Sequence, residues 1–413
     1  MRLCIRRGAN QIGGTCVEFE ANGQRLVLDV GLPLDAEDSP DLLPDVPGLR
    51  EPAPGLLGVL ISHAHLDHYG LARYVRPDLP LLIGEHAEAI LRAASPFLRL
   101  PFEPRHVIHL RHEIPIRLGP FEVIPYLVDH SAYDAYSFLI AAQGTRVFCS
   151  GDFRAHGRKQ ALFERLVATP PKEIDALLME GSVLGRLAAA ERFPSEQELE
   201  ERFVSEMTAT GGLCLVLAAA QNIDRVVTVY RACRRASRQL IVDLYAAEVL
   251  RATGNPNIPQ GSWANVRVYL ATLQRQWVRR NKRFDMVAPY RQHRIYPEAL
   301  AREAPRSVLL FRPSMMADLE AVGCLSGARL LYSMWEGYLE EARFQALLTW
   351  LDGRGIPRVA LHTSGHASVF DLRRLVAALC PGVVIPYHTC EPEQFRSLFT
   401  NAVVLRDGEW RSI

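Results

Sequence analysis

Histidine and carboxylate side chains crowd one short stretch of this sequence, Ser62-His63-Ala64-His65-Leu66-Asp67-His68-Tyr69-Gly70. Four potential metal ligands fall within six positions there. Neutral imidazole nitrogens and a carboxylate oxygen suit a borderline ion such as Zn²⁺. A lone histidine is more often a satisfied core or surface residue, but a run this dense is too polar to be core. In an extended turn His63 and His65 project to one side, while Asp67 and His68 can reach a second ion beside the first. The stretch reads as a dinuclear metal site.

Such a site needs more ligands than one loop supplies. Val128-Asp129-His130-Ser131 follows an apolar run at 123–127, and Ser150-Gly151-Asp152-Phe153-Arg154 follows Val147-Phe148-Cys149. A bridging carboxylate is the usual way to hold two cations ~3.5–4 Å apart, which makes His130 and Asp152 the natural additions. A further apolar strand ends in Glu180-Gly181-Ser182. Late in the chain, 358–361 leads into His362-Thr363-Ser364-Gly365-His366, and 383–385 into Pro386-Tyr387-His388-Thr389. Asp29, at another strand end, reads as a brace for the histidine loop.

Strands must bring these ends together. Residues 3–7, 15–20 and 25–30 read as strands, broken at Gly13-Gly14 and Asn22-Gly23. The apolar run at 56–61 is the buried strand leading into the histidines. Glu85–Leu98 reads as a helix, followed by strands at 122–126, 137–141 and 146–149.

From about Pro194 the texture changes to alternating helix and strand. A helix is expected over 195–210, with Ser195 as N-cap and Glu198 completing a capping box. Strands at 213–218, 239–243, 307–311 and 329–332 alternate with helices at 223–237, 246–252 and 340–351. That alternation argues for a mostly parallel sheet covered by helices. The expected organisation is one domain over 1–190, a second inserted over 191–355, and a return to the first over 356–413.

The second region carries the basic residues. Arg231, Arg234, Arg235 and Arg238 cluster on one helix. Arg275, Arg279, Arg280, Lys282, Arg283, Arg291 and Arg294 follow, interleaved with Trp277, Tyr290 and Tyr296. A solvated helix face usually explains a charge run. Basic residues mixed with aromatics are also what a single-strand groove uses. Arg225, Arg279, Arg280, Lys282 and Arg283 are the candidates for such a groove.

Composition limits the alternatives. At 413 residues and 48% hydrophobic, the chain can bury two sizeable cores. A net charge of +1 gives no global pull toward nucleic acid or membrane, so any such partner needs a local patch. The eight cysteines are scattered, without CxxC pairs, as suits reduced thiols in a cytoplasmic enzyme. The start is too charged for a signal peptide, and no apolar run is long enough to span a bilayer.

Taken in order, His63-x-His65-x-Asp67-His68, His130 and Asp152 resemble the signature of the metallo-β-lactamase fold, an αββα sandwich. Glu180, His366 and His388 resemble the three extra motifs of its β-CASP nuclease branch, which holds the RNase J ribonucleases and the endonuclease of pre-mRNA 3′-end processing. Gln221-Asn222-Ile223-Asp224-Arg225 is similar to a segment that opens the inserted domain in RNase J-like proteins. The motif order holds from about residue 10 to 390, while the inserted region is shorter or more divergent through 254–294. RNase J itself has an additional C-terminal domain, and this sequence ends soon after His388.

The resemblance implies two Zn²⁺ per chain, with Mn²⁺ as an alternative. His63, His65 and His130 would hold one, Asp67, His68 and His388 the other, and Asp152 would bridge them. Asp67, Glu180 and His366 become the candidate catalytic residues, with Glu180 keeping His366 protonated as general acid. His362 and Ser364 would touch a substrate phosphate. In the family, histidine at the position of His388 accompanies RNA-directed members, which tilts the substrate toward single-stranded RNA. Single-stranded DNA is the alternative polymer, and a homodimer is one option for assembly.

The expected reaction is hydrolysis of a phosphodiester by a hydroxide made available between the two ions. A small-molecule ester or lactone hydrolase of the same fold is the competing reading. Binding to a nucleic acid should weaken steeply with salt, and ester hydrolysis should not. A non-catalytic RNA-binding subunit is the third, disfavoured by the full ligand set.

Overall fold

The computed structural model describes residues 1–98, 100–186 and 192–413. The chain forms two compact units, Met1–Arg92 with Leu100–Phe193 and Gly365–Ile413, and Ala93–Arg99 with Pro194–Ser364.

In the first unit, period-two alternation builds two sheets and sorts their side chains. One sheet runs, in spatial order, Trp410–Ser412, Arg2–Arg7, Cys16–Ala21, Gln24–Leu28, Leu56–Leu60, Leu81–Gly84 and Val107–Leu110. The other runs Val383–Tyr387, Ala176–Glu180, Thr145–Cys149, Tyr136–Ala142, Phe121–Leu127 and Ile116–Leu118. Leu26, Leu28 and Leu60 of the first sheet share one buried cluster with Phe138, Ile140, Leu178 and Ile385 of the second. Their alternate neighbours Val27, Val59 and Ile61 face the opposite way, onto Ala87 and Leu91 of the helix Glu85–Leu98. Leu177, Met179 and Val384 likewise turn outward onto Phe163, Leu372 and Leu375 of two further helices, Gln160–Ala168 and Val369–Leu379. Stretches buried on both faces must be apolar at every position, as 26–28, 59–61, 176–179 and 383–385 are. The product is the expected αββα sandwich.

Close approach of backbones holds the histidine loop beside this sandwich. Thr15 and Val30 donate backbone hydrogen bonds to the carbonyls of Asp67 (3.1 Å) and His68 (2.9 Å), and Gly31 donates to Thr15. A Cβ at Gly31 would collide with the Asp67 carbonyl and the Thr15 amide. Gly31→Ala is therefore expected to cost about 1–3 kcal/mol through forced backbone shifts, measurable as a lower denaturant midpoint of the metal-free protein. An unchanged midpoint would mean that the loop relaxes freely.

The second unit is an α/β layer structure. Its sheet runs Arg294–Ile295, Val266–Tyr269, Gln239–Asp243, Ser307–Leu310, Cys214–Leu217, Arg329–Tyr332 and Arg358–Ala360, with every pairing parallel. Leu215, Leu217, Ile241, Leu309 and Leu330 pack against Leu300, Leu319, Phe344 and Leu347 of the covering helices. The helix Glu196–Ala209 starts at Ser195 with the expected capping box. Phe97 belongs to this unit and packs between Tyr245 and Trp277, at ring centroid distances of 5.4 and 5.7 Å.

The expected domain limits need adjustment. The strand Arg358–Ala360 pairs with Arg329–Tyr332 in the second unit's sheet, so the return to the first unit falls at Gly365 and not at 356. The expected boundary at 190/191 lies outside the described residues. All eight cysteines are unpaired. Among the described residues, no helix is long and apolar enough to cross a membrane.

Candidate metal centre

Five strand ends of the first unit deliver the polar residues to one place. His63 and His65 lie on the extended segment after Leu56–Leu60, and Asp67 and His68 on the single helical turn Leu66–Tyr69. His130 follows Phe121–Leu127, Asp152 follows Thr145–Cys149, Glu180 ends Ala176–Glu180, and His388 follows Val383–Tyr387. His388 takes a left-handed backbone (φ 51°), as does Asp29 (φ 61°). Strain of that kind persists where the surroundings over-determine it.

Among the described residues the ligand-type atoms gather in four overlapping groups: His63, His65 and His130; Asp67, His68 and His388; His63, His68 and Asp152; and Asp152, Glu180 and His366. His63 Nε2 and His130 Nε2 each stand 3.1 Å from His65 Nδ1. Tetrahedral coordination with Zn–N bonds of 2.0–2.1 Å would separate such nitrogens by about 3.3 Å. Asp67, His68 and His388 form the second set, with Asp67 Oδ2 3.8 and 3.7 Å from the two Nε2 atoms. Asp152 Oδ2 reaches both sets, at 3.7 Å from His63, 3.2 Å from His68 and 3.7 Å from His388. Both Asp152 oxygens and the Nε2 atoms of His68 and His388 are buried without a hydrogen-bond partner. Buried polar atoms are normally satisfied, so this convergence fits a group of divalent cations.

Hydrogen bonds aim the rings. His68 Nδ1 donates to Asp29 Oδ2 (2.7 Å), and His63 Nδ1 faces Ser62 Oγ (3.0 Å), which itself donates to Asp29 (2.8 Å). His130 Nδ1 donates to the Gly365 carbonyl (2.7 Å). Each bond leaves Nε2 with its lone pair toward the site. Asp29 therefore braces the loop and takes no place among the ligands. Burial, reinforced by neighbouring imidazoles, pushes His63 and His130 well below their usual range. Burial also takes His65 down to about 4, against the pull of Asp67 and Asp152. All three stay neutral, as ligation requires.

Beside these sets lies a different kind of pair. Glu180 Oε1 accepts from the Phe153 amide (2.9 Å), and Oε2 accepts from Ser182 Oγ (2.7 Å) and His366 Nδ1 (2.9 Å). Burial would lower the His366 pKa, but Glu180 and Asp152 outweigh it and raise it to about 9. At neutral pH His366 is an imidazolium whose Nε2 carries a transferable proton.

Other expected residues fall elsewhere. His362 and Ser364 follow the strand Arg358–Ala360 and belong to the second unit. Arg279, Arg280, Lys282 and Arg283 are exposed at the end of the helix Thr272–Arg280 and in the turn after it, Arg283 paired with Asp285 at 3.0 Å. Arg225 is a correction, because it is 0% exposed and ion-paired with Glu196 at 3.0 Å. A buried, neutralised guanidinium cannot line a groove. Arg238 and Tyr290 are also buried, donating to backbone carbonyls and to Glu248 respectively.

Some supporting residues escaped the sequence reading. Thr15 Oγ1 stands 2.7 Å from His388 Nδ1, which is 373 positions further along the sequence. Asp129 accepts from Arg154 Nε (3.3 Å) and the Gly157 amide (2.7 Å), tying the His130 loop to the Asp152 loop. The Gly13-Gly14-Thr15 turn and the Asp129-His130 adjacency were the available signals.

An αββα sandwich whose strand ends gather two histidine–carboxylate sets around a shared aspartate defines a metallo-β-lactamase-type domain. A model described as a β-lactamase superfamily domain matches residues 25–193. Ribonuclease J of Mycobacterium tuberculosis is 24% identical over 253 residues, 58% of this chain and 44% of that protein. Ribonuclease J of Sinorhizobium meliloti is 22% identical over 395 residues, 88% of this chain and 64% of that protein. The matched stretch thus spans less than two thirds of either relative. A crystal structure of a protein of unknown function from Enterococcus faecalis V583 shares the fold, with a TM-score of 0.81, 21% identity and 99% of each chain covered. Together these findings show the shared fold and a similarity to a β-lactamase superfamily domain and to ribonucleases J.

Proposed function

We infer that this protein is a divalent-metal-dependent nuclease that hydrolyses phosphodiester bonds of single-stranded RNA. The observation that carries the reading is the Glu180–His366 pair beside the ligand sets. An alkoxide leaving from a phosphodiester needs a proton, whereas the leaving group of an activated aryl ester does not. A cationic histidine held by a buried carboxylate suits the first task.

Two zinc ions, or manganese in their place, held by His63, His65 and His130 and by Asp67, His68 and His388 with Asp152 shared, would supply a hydroxide nucleophile near neutral pH and neutralise charge on the phosphoryl oxygens. The chain's own residues do the rest. Asp29 and Ser62 hold His63 and His68 in the ligating tautomer. Glu180 fixes His366 Nδ1, so Nε2 gives its proton to the leaving oxygen. His362 and Ser364 contact a phosphate of the strand. The exposed Arg279, Arg280, Lys282 and Arg283 supply a local basic patch in a chain of net charge +1. RNA over DNA is supported by the Ribonuclease J names of the relatives and by His388.

The test is digestion of 5′-labelled single-stranded RNA and a matched DNA, with and without chelator, alongside a metal count by mass spectrometry. Chelator-sensitive RNA cleavage with about two ions per chain is expected. Two ions without cleavage of either polymer would redirect the reading to a small-molecule ester, and no bound metal would overturn it.

A further inference from the structure

An arginine removed from water is costly unless every donor is matched. Arg225 meets that demand in an informative way. Its Nε and Nη2 donate to Glu196 (3.3 and 3.0 Å), a carboxylate that also accepts from Thr228 Oγ1 (2.7 Å). The charge is thereby neutralised, and the remaining donors are free for other work. Nη1 donates to the Ser333 carbonyl (3.1 Å) and Oγ (2.5 Å), and Nη2 to the Thr363 carbonyl (3.4 Å).

Those partners fix one short segment of the second unit. Ser333 Oγ donates onward to the Leu361 carbonyl, and Leu361 donates to the Tyr332 carbonyl (2.8 Å). Thr363 Oγ1 donates to the Pro194 carbonyl (2.5 Å). Along this segment burial alternates, with Leu361 and Thr363 buried and His362 and Ser364 only partly so. Side chains of an extended chain alternate in direction, so anchoring 361 and 363 sets where 362 and 364 point.

We propose that Arg225 is a positioning residue, which acts through Ser333 and Thr363 to hold His362 and Ser364 in place for contact with a substrate phosphate. The proposal rests on the nuclease reading above. It also gives Arg225 a role in substrate binding without contact, in place of the groove role that its burial excludes. A lysine at this position can hold Glu196 but lacks the fork needed to reach Ser333 and Thr363 as well.

The experiment compares the metal-loaded full chain with Arg225→Lys and Ser333→Ala. Losing part of a buried charge pair can prevent folding, and Ser333→Ala keeps that pair intact. Hydrogen exchange across 361–364 is read beside kcat and KM on single-stranded RNA. Faster exchange confined to this segment is expected, with KM raised about tenfold and kcat within about threefold of the parent. A merely structural role would loosen the whole unit and lower the active fraction, leaving KM in place, and would overturn the proposal. So would unchanged exchange in 361–364, or faster exchange with KM unaltered. If the parent itself fails to cleave RNA, the nuclease reading falls, and exchange alone still decides whether Arg225 positions the segment.

Discussion

Asp152→Ala is expected to strip the protein of bound divalent metal and take RNA cleavage below detection. Asp152 is the carboxylate that reaches both ligand sets, within 3.2–3.7 Å of His63, His68 and His388. It is 1% exposed and neither oxygen has a hydrogen-bond partner. Burial would raise its pKa, but the flanking His388, His68 and His366 win and hold it well below the usual carboxylate range. It is thus ionised and aimed at a place where only cations can repay the cost of its burial. Residues behind a ligand commonly cost 10–100-fold in metal affinity when lost, so a shared ligand should cost more than about 100-fold. Metal counting on the purified variant, with chelator competition, reads this directly. An Asp152→Ala protein that kept two ions and the parental rate would remove Asp152 from the site.

His366→Ala should behave differently, keeping its metal while losing cleavage on the order of 10²–10⁴-fold. The imidazole is bonded to Glu180 and lies outside the two proposed ligand sets, although with Asp152 and Glu180 it forms a further cluster of ligand-type atoms. Its loss should therefore fall on kcat, with metal content unchanged. A p-nitrophenyl phosphodiester sharpens the measurement, because its leaving group departs without a proton. The variant should cleave that ester at close to the parental rate and RNA far more slowly. Equal losses on both substrates would point to a damaged ligand set, and no loss on RNA would end the acid assignment.

The histidine–carboxylate cluster was legible in the sequence because such residues are rare in cores and dense here at strand ends. His63 to His68 need no tertiary information to stand out, and Glu180 and His366 show through the strands and loops that carry them. The supports were not legible in the same way. Thr15 meets His388 only in the folded chain, where segments far apart in sequence come together. The fate of Arg225 depends on Glu196, 29 residues away on a different helix, and no local pattern tells a buried arginine from an exposed one. The return point at Gly365 was missed because Arg358–Ala360 is three residues long, too short to reveal which sheet it joins. Within 254–294 the short 3₁₀ turns and the two-residue strand Arg294–Ile295 leave almost no periodicity to read.

The acid pair spans 186 residues of sequence, and Thr15 waits for a partner 373 residues downstream. A chain leaving the ribosome from its N-terminus therefore acquires its parts in a fixed order. His63, His65, His130 and Asp152 emerge first, then Glu180, and only after the whole second unit do His366 and His388 appear. On the proposed roles, a chain stopped before Gly365 carries the first ligand set but neither the proton donor nor a complete second set. For the proposed nuclease, whose substrate would resemble the very template being translated, competence comes only after the second unit has been made.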